Sequence, residues 1–336
     1  MLNKTDLNMT NTLSNNQNEI SRIIDFDSIN DIRIKKGKAV FNRVGISLLA
    51  GVAMVVLIIC SLWSTVFWLN PLKVLFGTIF IGAVFTCLLI HLLTRKINKT
   101  YKKQIKEQVT DKVISSLGYE LRHVLDAELS KEAFKKSKLI DLAYSRFKSE
   151  DLFTGKLGNT DFQFSEISIE PMHNGKPPFK GLYFRFDFNI NKNFVLDVVQ
   201  SNRRLVDKLN STPGIRSNTQ KIDCPLLNDF YSIFTNDTAL AANLLTEQFN
   251  LNFKKKFIDC EQLFFFSIRE GQLHMVAYNE RDYFQIDYNT EIEKQINKQI
   301  SDIEFVYKSS NDLKSFFEPY INELSKFSFS GTASSL

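Results

Sequence analysis

The stretch Val44–Leu69, VGISLLAGVAMVVLIICSLWSTVFWL, carries no Asp, Glu, Lys, Arg or His, and a second, Val74–Leu93, VLFGTIFIGAVFTCLLIHLL, carries only His91. Between them stand Asn70-Pro71-Leu72-Lys73. A helix needs about 20 apolar residues to cross a hydrocarbon layer of roughly 30 Å. Both stretches meet that length, and so short a connection makes them antiparallel. The sequence therefore predicts a transmembrane helical hairpin over 43–95, carrying a polar remainder that forms the bulk of the 336 residues.

Charge orients the hairpin. Arg33, Lys35, Lys36, Lys38 and Arg43 precede the first stretch; Arg95, Lys96, Lys99, Lys102, Lys103 and Lys106 follow the second; the turn has only Lys73. Basic residues flanking membrane helices stay on the cytoplasmic side. Both flanks are thus expected in the cytoplasm, with the turn outside. Beside a hairpin these clusters meet the lipid bilayer and its anionic headgroups rather than nucleic acid. Within the hairpin, Gly45, Gly51, Gly77 and Gly82 offer points of close helix approach. Trp68 suits the outer interface. Neither stretch holds an Asp, Glu, Lys or Arg, and His91 lies near the cytoplasmic end, which argues against a transport path.

The chain has 30 Phe but 13 Gly and 7 Pro, a composition of packed core rather than long disorder. Residues 1–42 read as a polar N-terminal segment, disordered over 1–19. There is no signal-peptide pattern, so the first membrane helix reads as an uncleaved anchor. Ile20, Ile23, Ile24 and Phe26 suggest a short helix lying on the membrane or on the main domain. Cys60, Cys87, Cys224 and Cys260 show no C-x-x-C spacing and are expected as reduced thiols.

After the hairpin, Ile97, Tyr101, Ile105, Val109 and Val113 recur every four residues, predicting a helical continuation that Gly118 interrupts. Ser130 is a cap for a second helix holding Ala133, Phe134, Leu139 and Leu142. Residues 96–150 are therefore expected as a basic helical stalk and connecting helix. Over 151–327 the period changes. Leu182, Phe184, Phe186, Phe188 and Ile190 alternate with polar residues, as a strand with one buried face does. Phe162 and Phe164 have one parity and Ile167 and Ile169 the other, which calls for a bulge or a strand serving two packing surfaces. Gly158-Asn159 and Glu270-Gly271 are turns; Val195–Val199, Phe264–Ile268, His274–Tyr278 and Phe284–Tyr288 are strands. Residues 200–222 read as a loop. Leu226–Phe234 and Ala239–Phe249 read as helices, the second capped from Thr235-Asn236-Asp237. Ile292, Ile296, Ile300 and Ile303 mark a closing helix limited by Pro319, and 328–336 a frayed tail. The fold class expected is α+β, an antiparallel β-rich cytoplasmic domain covered by helices.

One succession of residues resembles a known family. It runs Leu129-Ser130-Lys131-Glu132-Ala133-Phe134-Lys135-Lys136-Ser137-Lys138-Leu139, Ser149-Glu150-Asp151-Leu152-Phe153-Thr154-Gly155-Lys156, Thr160-Asp161-Phe162-Gln163-Phe164-Ser165-Glu166 and Phe179-Lys180-Gly181-Leu182-Tyr183-Phe184. A looser block follows at Asn228–Asp237 and Leu244-Leu245-Thr246. Together, over roughly Ser130 to Tyr288, they are similar to the bacterial DUF3137 family. That resemblance implies two membrane helices before a cytoplasmic domain of unknown function, placement in the bacterial inner membrane, and another membrane protein, LemA-like, as a partner.

Chemistry is sparse. Asp161, Ser165 and Glu166 form the one polar cluster with a nucleophile and carboxylates, but on a strand Glu166 faces away from the other two. His91, His123, His173 and His274 have no metal-ligand spacing. No phosphate-binding glycine motif and no G-x-S-x-G elbow occurs. Neither enzymatic activity nor a cofactor nor a metal is expected. Lys99, Lys102, Lys103, Lys106, Lys176 and Lys180 are the candidate interaction residues, the last two flanking a Gly/Pro-rich entry to the Phe-rich strand. The reading is a membrane-anchored binding or scaffold protein that recruits a protein partner or reads lipid headgroups. The alternatives are a membrane-bound enzyme using Asp161, Ser165 and Glu166, and a hairpin-based membrane effector.

Overall fold

A computed structural model describes residues 26–62, 71–124, 127–140, 144–171, 179–200, 218–260, 264–279, 281–285 and 290–330. The expectations for 1–19, for Ile20, Ile23 and Ile24, for the turn through Asn70, for Trp68, Leu142, Lys176, Ile286 and Tyr288, and for the last six residues lie outside them. The chain divides into a helical unit, residues 1–116 with 286–299, and a larger unit, 117–285 with 300–336.

The helical unit contains α1 (Phe26–Leu62) and most of α2 (Pro71–Leu117). Among the described residues one stretch, Ile34–Cys60 of α1, is long and apolar enough to cross a membrane; Ile79–Arg95 of α2 is a shorter apolar stretch. The two helices meet at glycines. A Cβ on Gly51 would lie 1.8 Å from Thr86 Oγ1, and one on Gly82 would lie 2.2 Å from Val55 Cγ2. Gly45 and Gly77, also expected at the crossing, have nothing within 4 Å. Pairing of 51 with 86 and 55 with 82 makes the helices antiparallel. Ser47 and Thr86 return their hydroxyls to the Arg43 and Gly82 carbonyls, each at 2.8 Å, so neither needs water. Away from the seam, Phe41, Leu49, Leu57, Phe76 and Phe80 are each about 70–80% exposed. α2 runs on as the predicted stalk, with Val109 and Val113 buried, and ends at Gly118, whose φ is +67°. Thr110 Oγ1 donates to Gln299 Oε1 at 3.3 Å.

In the larger unit the described strands form one antiparallel nine-stranded sheet, ordered β1-β2-β3-β4-β9-β8-β5-β7-β6. The strands are β1 (Leu121–His123), β2 (Tyr144–Leu157), β3 (Thr160–Pro171), β4 (Phe179–Asp187), β5 (Leu196–Gln200), β6 (Gln220–Ile222), β7 (Tyr231–Thr235), β8 (Phe264–Arg269) and β9 (Gln272–Tyr278). Glu270 and Gly271, at φ +53° and +81°, close the β8–β9 hairpin in the geometry that matches strand twist.

Each face of the sheet has its own cover. On one, α3 (Lys131–Lys136) and the chain after it bring Leu129, Phe134, Leu139 and Ile140 onto Ile167, Ile169, Phe179, Tyr183, Phe265 and Val276. Ser130 caps α3 as expected, accepting from Ala133 N at 3.0 Å. On the other, α4 (Thr238–Leu244), α5 (Glu247–Phe253) with a π-turn at Lys254–Ile258, and the part of α6 (Ile292–Ser330) beyond residue 299 build an aromatic core. There Phe257 stacks on Phe264 at 4.1 Å, and Phe266 meets Phe253 at 5.5 Å and Phe317 at 5.0 Å.

Several expectations fail for identifiable reasons. The region 118–150 is not mostly helical: it supplies β1 and the start of β2, and α3 stops at Lys136 because Lys138 turns left-handed at φ +53°. Leu226–Phe234 is not a helix. Its end, Tyr231–Thr235, is β7, since aromatic and β-branched residues between two strand partners pair rather than coil. Residues 220–222 are a strand, not a loop. Phe284, at φ +51°, is a bend rather than the start of a strand. Pro319 does not end α6: Phe316, Phe317, Ile321 and Leu324 anchor the helix on both sides of it, and that burial exceeds the lost hydrogen bond. Of the two alternatives for the parity switch in β3, the structure shows the strand serving two packing surfaces: β3 pairs with β4 without a break from Asp161 to Ile169, with Phe164 packed on one face and Ile167 and Ile169 on the other. The bulge is in β2, between Glu150 and Phe153, where Asp151 sits at φ +52°.

Candidate functional site

Among the described residues of the larger unit, two cavities bear on function. The first, about 120 Å³, lies where β2, β3 and β4 meet Asn279, Arg281 and Asp282. Register fixes its floor: Lys148, Ser168 and Lys180 are cross-strand neighbours, and Glu150 and Glu166 are neighbours one step along. Lys148 pairs with Glu150. Lys180 Nζ lies 2.6 Å from Asp282 Oδ1, and that bond holds its ammonium pKa above the ordinary lysine value. Glu166 Oε1 accepts the Tyr283 N–H at 2.6 Å, while Asp302 accepts the Phe284 N–H at 2.9 Å and Arg281 at 2.5 Å. Glu166 thus ties the stretch after β9 to the sheet, and Asp302 ties it to the helix Ile292–Ser330. Carboxylate oxygens of Glu150, Asp151 and Glu166 lie within 4.8 Å of one another, a set that could hold a cation. His123 Nε2 stands 3.4 Å from Asp151, and Lys148 already occupies Glu150.

The predicted polar cluster is dispersed. Asp161 is exposed at the opposite end of β3, 3.9 Å from Lys156. Ser165 is fully buried on the α3 face. Its hydroxyl lies 2.7 Å from that of Ser149, which accepts the Leu129 N–H at 2.9 Å. That chain pins the α3 segment to the sheet. Glu166 lines the first cavity and Asp161 the second, so the cluster does not share a site. Of the candidate lysines, Lys180 lines the first cavity, Lys103 is exposed and Lys106 half-buried on α2. Lys99 and Lys102 belong to the same helix, and nothing is described of their side chains.

The second cavity, about 550 Å³, is on the α3 face beyond the reach of α3. Strand register places one row of residues side by side on that face: Arg122, Thr154, Gln163, Arg185, His274, Ser267 and Asp197. Ser267 Oγ donates to the Ser137 carbonyl at 2.6 Å. Asp197, with no exposed surface, receives Arg269 Nε at 2.9 Å and Nη2 at 2.6 Å. His274 Nδ1 and the Tyr183 hydroxyl are 2.8 Å apart. Burial, then the Arg185 charge, push the His274 pKa down to about 4, so the imidazole is neutral at pH 7. Burial likewise raises the Tyr183 phenol pKa. Sequence reasoning missed this row because its members come from seven strands and no two are adjacent in the chain. The only signal was polar residues within otherwise buried strands.

Comparison of the chain with protein-family models, with curated proteins and with solved structures gives no match in any of the three.

Proposed function

We propose that this chain is a membrane-anchored binding module: an α+β domain held at a cytoplasmic membrane surface by α1 and α2 as a two-span hairpin, recruiting a protein or small ligand rather than catalysing a reaction. The observation that carries the reading is the pairing of a tight, glycine-lined seam with an apolar outer surface. Phe41, Leu49, Leu57, Phe76 and Phe80 face outward from helices whose polar hydroxyls are satisfied internally. In water that surface forfeits burial at about 25 cal/mol per Å²; in lipid it costs nothing. The basic residues on one side of both apolar stretches support a cytoplasmic domain. The resemblance to the DUF3137 family supports the same layout, with an inner-membrane location and a LemA-like membrane partner.

The test is alkaline carbonate extraction of membranes from cells expressing the full chain. A second arm labels single cysteines, at Asn70 or at Lys308, with a membrane-impermeant maleimide after replacing Cys60, Cys87, Cys224 and Cys260. Retention in the pellet, with labelling of position 70 from outside and of 308 only after lysis, is expected. Release into the supernatant refutes the anchor; labelling of both positions from outside refutes the topology.

A further inference from the structure

Four side chains that no sequence spacing connects meet beside the first cavity. Strand register puts Glu150 opposite Glu166, the β2 bulge adds Asp151, and β1 brings His123 opposite Phe153. One carboxylate oxygen each from Glu150, Asp151 and Glu166 lies within 4.8 Å of the others. Glu150 and Glu166 line the cavity and give solutes access, while the Asp151 side chain is only 5% exposed. Carboxylates so gathered are by themselves ordinary surface chemistry. His123 is not. Its side chain is 4% exposed, its Nδ1 makes no hydrogen bond among the described residues, and its Nε2 is aimed at the cluster, 3.4 Å from Asp151 Oδ1. That separation exceeds an N–H···O hydrogen bond, which spans about 2.7–3.2 Å. It matches the gap between two ligands of one metal ion, because bonds of about 2.0–2.2 Å at a near-tetrahedral angle hold their N and O about 3.4 Å apart. A buried imidazole left without a hydrogen bond costs free energy, and a cation on Nε2 recovers it.

We propose that Glu150, Asp151, Glu166 and His123 form a binding site for one divalent first-row transition-metal cation. Three carboxylates and one imidazole are a donor set for Mn²⁺ or Zn²⁺ rather than for Ca²⁺ or Mg²⁺, which take oxygen ligands. The cationic side chains around the cavity are weak competitors. Lys148 pairs with Glu150, Lys180 with Asp282 and Arg281 with Asp302, each lysine pair about half exposed. An exposed pair contributes little, so a dication displaces Lys148 from Glu150. Glu166 accepts the Tyr283 N–H through Oε1, and a carboxylate, having two oxygens, keeps that bond while it binds an ion. The site needs no membrane contact, so it survives failure of the membrane reading.

The experiment uses the full chain in non-ionic detergent, stripped with a chelator and titrated calorimetrically with MnCl₂ in one arm and ZnCl₂ in the other. Histidine ring resonances are followed in ¹⁵N-histidine-labelled protein, the His123 signal being assigned by its loss in His123→Gln. Binding of at least one ion is expected, with the His123 resonance broadened by Mn²⁺ or shifted by Zn²⁺. Asp151→Asn and Glu150→Gln should each weaken that binding by about tenfold or more. Asp151 has φ +52°, a conformation that Asn adopts readily, so its variant keeps the backbone. Glu150 is exposed, and its variant decides the matter if Asp151→Asn does not fold. Zn²⁺ binding alone assigns a tetrahedral site; Mn²⁺ binding alone assigns a site of higher coordination number. Absence of binding by both ions overturns the proposal, as does binding that leaves the His123 resonance in place or that the carboxylate variants do not weaken.

Discussion

Replacing Arg269 by Ala tests a buried ion pair of the larger unit. Asp197 is wholly buried on β5, and Arg269 donates two ionic hydrogen bonds to it, at 2.9 and 2.6 Å. Truncation leaves a carboxylate that water cannot reach, a loss of about 3–5 kcal/mol. For a domain of about 150–250 residues each kcal/mol moves the midpoint by about 2–4 °C, so the transition should fall by about 6–20 °C. Thermal unfolding of the full chain in non-ionic detergent, followed by circular dichroism, measures it. The double variant Asp197→Leu with Arg269→Met removes both charges at similar volume and should recover most of the loss. If Arg269→Ala lowers stability by less than about 1 kcal/mol, the level of an exposed pair, the buried-pair reasoning fails.

Gly51→Val and Gly82→Val should each disrupt the α1–α2 seam, because the added atoms would lie within 2.2 Å of Thr86 or Val55, whereas Gly45→Val and Gly77→Val, with open space around them, should not; the midpoint of heat-induced aggregation in detergent separates the two pairs, and equal behaviour of all four contradicts the crossing. His274 titrates near 6.5 when unfolded but at about 4 when folded. Its contribution is therefore complete above pH 6.5 and is lost as pH falls toward 4, by roughly 3 kcal/mol in all. His274→Gln should flatten that part of the urea-stability profile, and an unchanged slope between pH 6.5 and 4 would refute the assignment.

Local signals carried much of the secondary structure. The Ser130 cap, the Gly158-Asn159 and Glu270-Gly271 turns, the alternation in β4 and β8, and the stop at Gly118 each depend on a few consecutive residues, so they are legible in the chain. Elements whose state depends on distant partners were misread. Tyr231–Thr235 is a strand only because β5 and β6 flank it, and α6 passes Pro319 only because the aromatic core holds both of its halves. Strand alternation already set Glu166 on the opposite face from Asp161 and Ser165, and the unbroken β3–β4 pairing keeps it there.

The sequence by itself determined where apolar matter is continuous: a span-length stretch in α1, a second apolar stretch in α2, and a Phe-rich, alternating domain after them. Hydropathy and short-range periodicity are properties of the chain and need no partner. The tertiary structure alone decided which polar groups share a surface. A row from Arg122 through Arg185 to Asp197 exists only once seven strands have chosen their order and register, and pairing, unlike periodicity, is a relation between residues far apart in the chain.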